Sequence, residues 1–424
     1  RKSSPPNQNR PRHNKKNTNQ MKGSKSITNR SLILRQLTPF KLKNPAKCED
    51  SFFMQEGLEK LKKSSSGKTD PSKLYLGNAG TAVRFLTSYA TTLNKEVIIK
   101  GSKRMHERPI KPLIKALNTL GADISCSKTG CPPIHIQPKI PKGGKVQLPG
   151  DISSQYITSL LLISPLLKKG LTIELQGEVC SIPYIEMTIA LLKKIGIKVD
   201  TNSAFSRLRV KPNQKIKRIK SGSLFIEGDA SSASYLGAYA ALKPDRPVTI
   251  ENIPTSSIQG DLAFKKHLKK MGCHVTHKNS TIQIQGPSKP LKALGIVDMN
   301  KTPDLVMTFA ILAAFAEGKT RITNIANLKI KESNRIQALE TELKKLGTKV
   351  KSGKDFIEIS GPTQIKPTRI RKTKIKTYND HRIAMAFGVL KKTILPHLRI
   401  ENPAVVRKSY PEFWSDLNKL NRNK

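Results

Sequence analysis

The chain has 424 residues and a mass of 47.0 kDa, and at roughly 150 residues per domain it holds two or three domains, too large for a small disulfide-stapled scaffold. Its five cysteines lack framework spacing and point to a reducing compartment; with no apolar run near the ~18 residues of a membrane span, a soluble globular protein is expected. Lys and Arg number 77 against 30 Asp and Glu, a net charge of +47, so its partners are expected to be anionic: nucleic acid, a membrane surface or phosphorylated metabolites.

From the N-terminus, residues 1–21 read as a disordered basic tail, almost without apolar side chains and with no acid before Glu49. The tail lacks the ~7–15-residue apolar stretch of a secretory signal, and a cytoplasmic protein is expected. A helix then starts at Ser24. Further small or polar starts follow at Asn78, Ser153, Asp229, Asp304 and Asp380, separated by 75, 76, 75 and 76 residues. A second set of helices ends at Leu120-Gly121, Ile195-Gly196, Met271-Gly272 and Leu346-Gly347, glycines that lie 75, 76 and 75 apart. Each unit reads strand, loop, helix, Gly, hairpin, helix. In the fourth, residues 320–323 are predicted as a strand, 330–346 as a helix stopped by Gly347, and 350–359 as a hairpin turning at Ser352-Gly353-Lys354. Units of this length are supersecondary αβ modules grouped into globular domains. Only 54 residues separate Ser24 from Asn78, and residues 62–73 are rich in Ser, Lys and Gly where other units carry a hairpin. The first unit is therefore expected to be shortened.

Residues with chemistry recur at the helix starts, where free N–H groups and the helix dipole favour anions. Capping accounts for the Ser, Asn and Asp at these starts, Ser24, Asn78, Ser153, Asp229, Asp304 and Asp380. It does not account for Lys25, Gln155 or Arg382, because a dipole disfavours a cation in its first turn unless an anion compensates. The loops before the other helices are equivalent too, since counting thirteen back from the repeat glycines gives Arg108, Pro183, Gln259 and Asn334. If the helices share an orientation, their N-termini converge on a cleft for several negative groups.

The string Gly23-Ser24-Lys25-Ser26-Ile27-Thr28-Asn29-Arg30, with Leu76-Gly77-Asn78-Ala79-Gly80-Thr81-Ala82, resembles 5-enolpyruvylshikimate-3-phosphate synthases. The resemblance continues through Arg104-Met105-His106-Glu107-Arg108-Pro109, Ser153-Ser154-Gln155-Tyr156, Glu227-Gly228-Asp229-Ala230, Asp298-Met299-Asn300-Lys301, Lys331-Glu332-Ser333-Asn334-Arg335, Asp380-His381-Arg382 and Arg407-Lys408-Ser409-Tyr410-Pro411. It implies an α/β fold of two lobes, each of three βαβαββ units, here spanning 22–226 and 227–424. The implied reaction moves the enolpyruvyl group of phosphoenolpyruvate onto the 5-hydroxyl of shikimate 3-phosphate through a tetrahedral adduct, in the shikimate pathway. No metal, organic cofactor, membrane or specific nucleic-acid partner is implied, and a monomer is expected.

By the family's pattern, Lys25, Ser26, Arg30, Ser153, Ser154, Gln155, Ser181, Tyr184, Asp304, Asn327 and Lys331 face shikimate 3-phosphate. Lys25, Gly80, Arg108, Gln155, Arg335, Arg382 and Lys408 face phosphoenolpyruvate, the Arg forks suiting carboxylate and phosphate. Asp304 is the implied base, Lys25 and Glu332 the implied acids, and His381 a supporting residue. Gly80 implies inhibition by glyphosate, the family's inhibitor at the phosphoenolpyruvate site. Two positions depart from the family: Lys22 and Phe85 stand where many members have Pro.

Taken alone, Asp304 after Thr302-Pro303 is a first-turn acid, and His381 a surface or core histidine. Cys273, His274 and His277 lack a second spaced pair for a metal, and Cys126 and Cys131 fall in a predicted hairpin. The related UDP-N-acetylglucosamine enolpyruvyl transferases typically carry Asn after the early Lys, where Ser26 stands here. Binding of nucleic acid is the reading of another class, motivated by charge alone. Without a motif or interleaved aromatics, it is expected to be salt-sensitive and sequence-independent at most.

Overall fold

The computed structural model describes residues 18–63 and 71–422. The unit that begins at Ser72 shows how sequence pattern becomes layer. Strand Ser72–Tyr75 lies parallel to Val97–Lys100, to which Ile134–Ile136 and then Ile124–Cys126 add antiparallel. Val97, Ile99, Ile134 and Ile136 are buried, as the two-residue period of a strand demands. Helix Gly80–Ala90 is buried on nearly every side and forms the interior. Helix Lys111–Thr119 buries only Leu113, Ile114, Ala116 and Leu117 and covers the outside.

The same strand order recurs in Gly144–Pro149, Leu171–Gln176, Arg207–Val210 and Asp200–Thr201, and in Gly295–Asp298, Gly318–Thr323, Ile357–Gly361 and Lys349–Ser352. Two units are smaller. Lys41–Lys43 pairs with Ser223–Phe225, and Lys374–Ile375 with Arg399–Ile400, as two-stranded sheets. The first shortening follows from the spacing, although residues 64–70 of the segment expected to lack a hairpin lie outside the described residues. The last unit is reduced as well, running into helix Phe413–Arg422 where a hairpin would stand.

Apolar side chains gather into two cores, one spanning Ile27 to Ile226 and the other holding Met21 with Ala233 to Leu420. The chain passes between them twice. Thr18–Gln20 runs parallel to Val248–Glu251 in the second lobe, whereas Ser223–Phe225 runs parallel to Lys41–Lys43 in the first. The second lobe thus takes its edge strand Thr18–Gln20 from before the crossing, while the first lobe closes with its own Ser223–Phe225, and at the crossing Gly23 and Gly228 form an antiparallel bridge. A Cβ on Gly23 would lie 1.9 Å from the Asn44 carbonyl oxygen, so only glycine lets the crossing chain pass the loop at Asn44.

The pairing of the first strand corrects the extent of the tail. Residues 18–21 are ordered because strand pairing satisfies their backbone, Asn252 donates to the Met21 carbonyl at 2.8 Å, and Met21 itself is buried. Residues 1–17 lie outside the described residues. Helix starts also shift: the helix expected over 330–346 begins at Arg335, where the Asn334 side chain accepts from the Gln337 N–H, and Ala326–Ile330 is a separate 3-10 turn. Ser24, Ser153, Asp229 and Asp380 are the expected caps. Asn78 instead precedes a helix starting at Gly80, and Asp304 lies in the turn Pro303–Leu305 ahead of helix Val306–Ala313.

Candidate active site

The interior helices of both lobes open on one cleft. Lys25 and Ser26 begin helix Lys25–Leu37, Thr81 lies in the first turn of Gly80–Ala90, and Ser154 and Gln155 begin Ser154–Ile163. From the other lobe come Asp304 and Lys331, and together with Arg30, Phe85, Ser181 and Tyr184 these side chains line a cavity of about 60 Å³. One carboxylate joins the lobes at the crossing: Asp229 caps its own helix by accepting from the Ser232 N–H at 2.7 Å, and accepts from the Lys25 N–H at 3.0 Å.

Cations and carboxylates alternate across the cleft. Asp50 lies 2.9 Å from the Lys25 ammonium and also accepts from Lys408. Glu332 lies 2.9 Å from Arg335, 3.6 Å from Lys408 and 3.8 Å from Arg108. Asp304 lies 3.0 Å from Arg335 and 2.5 Å from Arg382. Arg335 is held besides by Asp380 at 2.8 Å. The first-turn cations Lys25 and Arg382 therefore have their compensating anions, and each bond between Lys408 and Asp50, or Arg108 and Glu332, spans the lobes.

The groups shift accordingly. Burial and, after it, the nearby Arg382 oppose the charge on Lys25, but Asp50 together with Glu332 and Cys48 outweighs them, and the ammonium is held above the ordinary lysine range. Burial likewise works against the Asp304 and Glu332 carboxylates; Arg382 and Arg335 at Asp304, and Arg108, Arg335 and Lys408 at Glu332, override it and push both down. Burial lowers Lys331, with Asp304 opposing. Burial also drives His381 well below its usual value against the pull of Glu332, so its imidazole is neutral. Neither of its ring nitrogens has a hydrogen-bond partner among the described residues.

Most of the expected residues come together, in roles the structure makes specific. Gly80 is a contact surface for Arg108: a Cβ there would lie 2.7 Å from Arg108 Nη2. Gln155 donates to Thr81 at 3.2 Å. Arg30 is buried and donates to Thr188, the Ser26 carbonyl, Thr158 and the Tyr184 carbonyl, so much of its fork orders the cavity wall. Phe85 packs under that guanidinium, 5.5 Å from its ring centre. Ser153 caps its helix by accepting from the Gln155 N–H, and Asn327 is buried within the turn Ala326–Ile330 that precedes Lys331. Lys22 is exposed, its carbonyl accepting from the Asp229 N–H at 2.9 Å. Cys126 ends a hairpin strand, and His277 pairs with Lys265 and the Ile253 carbonyl.

Sequence reasoning missed Asp50 and Asp261. Asp50 opens the Glu49–Lys63 helix, where an acid reads as dipole complement. Asp261 lies in the turn Gly260–Ala263 and accepts from Ser231; the Tyr184 hydroxyl lies 3.1 Å from it and 3.3 Å from Asp304. Burial first, then the Asp304 charge, pushes Asp261 up to about 7.

Solved structures of the same shape define the class. The chain matches an EPSP synthase from Acinetobacter baumannii with a TM-score of 0.72 over 96% of both chains at 23% identity. It matches the enolpyruvyl transferase NikO from Streptomyces tendae with a TM-score of 0.70 over 95% of this chain and 94% of that one at 14% identity. The fold is that of a two-lobed enolpyruvyl transferase. Sequence narrows it further. Residues 12–417 match the family model for EPSP synthase (3-phosphoshikimate 1-carboxyvinyltransferase). A chloroplastic 3-phosphoshikimate 1-carboxyvinyltransferase of Brassica napus is 38% identical, over 95% of this chain and 82% of that one. One from Hamiltonella defensa is 39% identical, over 93% and 94%. The chain belongs to the EPSP synthase family.

Proposed function

We infer that the interlobe cluster carries the family's enolpyruvyl transfer, with Asp304 as base and with substrate anions replacing its internal ion pairs. The reaction places the enolpyruvyl group of phosphoenolpyruvate on the 5-hydroxyl of shikimate 3-phosphate. The hydroxyl oxygen bonds to C2 of phosphoenolpyruvate, its proton passes to Asp304, and C3 takes a proton from Lys25 or Glu332. The C2–O bond to phosphate then breaks and C3 returns a proton, leaving the enol ether and phosphate. Both substrates carry a carboxylate and a phosphate, and a water-poor cleft strengthens each contact with them.

The alternation of Lys25, Arg108, Arg335, Arg382 and Lys408 with Asp50, Asp304 and Glu332 supports this reading above any other observation. Arg108, Arg335, Arg382 and Lys408, each expected to bind phosphoenolpyruvate, are paired with Asp304 or Glu332, the acids expected to move a proton, and Lys25 is paired with Asp50. An incoming carboxylate or phosphate that takes Arg335 and Arg382 relieves Asp304 of the charges that depress it. Asp304 then gains basicity at the moment the hydroxyl arrives. The same exchange at Arg108 and Lys408 lets Glu332 hold a proton. His381 supports the cluster as a neutral imidazole whose protonation burial, Lys25, Arg382 and Lys408 oppose.

One chain supplies both walls of the site, so the reading takes a monomer as the working unit, and places it in the cytoplasm. Among the described residues no helix is long and apolar enough to cross a membrane. Asp304→Asn tests the assignment. It should lower kcat by about 10²–10⁴, the usual contribution of a general base, with a far smaller change in KM for shikimate 3-phosphate. Wild-type kcat in the folded variant would remove Asp304 from the role.

A further inference from the structure

We propose that the first lobe carries a second, non-catalytic groove that binds single-stranded nucleic acid without sequence preference. The groove, about 770 Å³, lies between the end of helix Ile182–Lys194, the segment after strand Arg207–Val210 and the edge of the two-stranded sheet. Lys43, Lys193, Lys194, Lys217, Arg218 and Lys220 line it, with no acid among its lining residues. It shares no residue with the catalytic cavity.

What sets this cluster apart from the chain's general basicity is its setting, six cations facing one concave, acid-free groove. Elsewhere some exposed cations on regular elements have carboxylate partners, such as Lys60 with Glu56, Lys145 with Glu174 and Lys344 with Glu340, while others, such as Lys115, Lys269 and Lys270, have none among the described residues but line no groove of this kind. Among the described residues none of the six groove cations forms a salt bridge, and all six are exposed. A helix C-terminus accounts for Lys193 and Lys194, whose charges complement the dipole. It does not account for the other four, which come from separate segments, and residues 201–226 contain no acid at all.

Backbone geometry brings these segments together. The Lys217 N–H donates to the Ile195 carbonyl at 2.8 Å, tying the basic segment to the helix end. Gly196 follows with φ +82°, and a Cβ there would lie 2.8 Å from Lys217 Cγ. The glycine thus lets the Lys217 stem lie against the helix terminus.

The shape and the aromatic choose the partner. Phe225, 57% exposed, stands in the same groove beside Ser221 and Ser223. A cationic groove that tracks a backbone, with an aromatic face on which a base can stack, is how proteins hold single strands regardless of sequence. A concave wall with one exposed ring offers a bilayer no apolar face to insert.

The probe is a fluorescently labelled 20-mer of uridine, titrated with the full chain and read by anisotropy at low and at physiological salt. Binding should weaken steeply with salt, at roughly −0.7 in log K per log salt for each phosphate neutralised. The triple variant Lys217→Glu, Arg218→Glu, Lys220→Glu should weaken it at least tenfold and flatten that slope. Phe225→Ala should weaken it at least fivefold while leaving the slope unchanged. Phosphate release on the two substrates should stay at wild-type rate in both. Lys266→Glu, Lys269→Glu, Lys270→Glu, an equal charge change on the other lobe, should leave binding within twofold. An equal loss in that control would assign binding to net charge and overturn the groove. So would no binding at low salt, or capture of phosphatidylserine vesicles without capture of the oligonucleotide.

Discussion

Asp50 serves both lobes with one carboxylate, accepting from Lys25 of its own lobe and from Lys408 of the other. Its type and position read as an ordinary first-turn acid, because the partner that gives it meaning lies 358 residues away. Gly80 was legible from its motif, but its contact was not: the space it leaves holds the Arg108 guanidinium. Gly80→Ala should therefore displace that fork, raising KM for phosphoenolpyruvate about tenfold or more with a smaller change in kcat; an unchanged KM would show that Arg108 gives way freely. Asp261 carries a consequence for pH. Its folded pKa of about 7 lies above the ~3.9 of an unfolded Asp, so between those values the folded chain holds a proton that the unfolded chain has lost. Stability should fall as pH rises through that window. Asp50, Asp304 and Glu332, all depressed, act in the other direction below about pH 4: their stabilisation is present above the unfolded value and is lost as pH falls through the folded one. Urea unfolding at pH 5 and pH 7.5 should show a drop in the wild type that shrinks in Asp261→Asn; an equal drop in the variant would assign it elsewhere.

At the level of the element, the 75-residue spacing made helices and strands legible because capping and periodicity are local. Ser24, Ser153, Asp229 and Asp380 cap as their types require. Asp304 and Lys331 do not begin helices, since Pro303 starts a tighter turn and Asn334 caps later, and those departures place both side chains at the cavity. The pairing of the first strand was illegible for the opposite reason. Thr18–Gln20 has no apolar alternation of its own and is fixed by Val248–Glu251, far along the chain. Asp229 illustrates both cases, since its own cap follows from sequence and its bond to the Lys25 N–H does not. Asp229→Ala removes two caps at roughly 0.5–2 kcal/mol each. The urea midpoint should fall, and kcat should fall with it at concentrations where the variant is fully folded. A stability loss with wild-type kcat would show that Lys25 is positioned without this bond.

Across the whole molecule, two separate apolar cores face one cleft, and ion pairs that the substrates are suited to replace cross it. The family pattern located most of these cations and acids by position along the chain. Their pairing across the lobes, which makes each acid's basicity depend on an incoming anion, emerges only when the lobes are assembled. The central claim is that both substrate anions and Lys25 are needed together for transfer. Phosphate release from phosphoenolpyruvate by the full chain, with and without shikimate 3-phosphate and repeated in Lys25→Ala, measures this directly. The account predicts release with both substrates, none with phosphoenolpyruvate alone, and a loss of orders of magnitude in the folded variant. Release that ignores shikimate 3-phosphate, or that survives Lys25→Ala at wild-type rate, would contradict it.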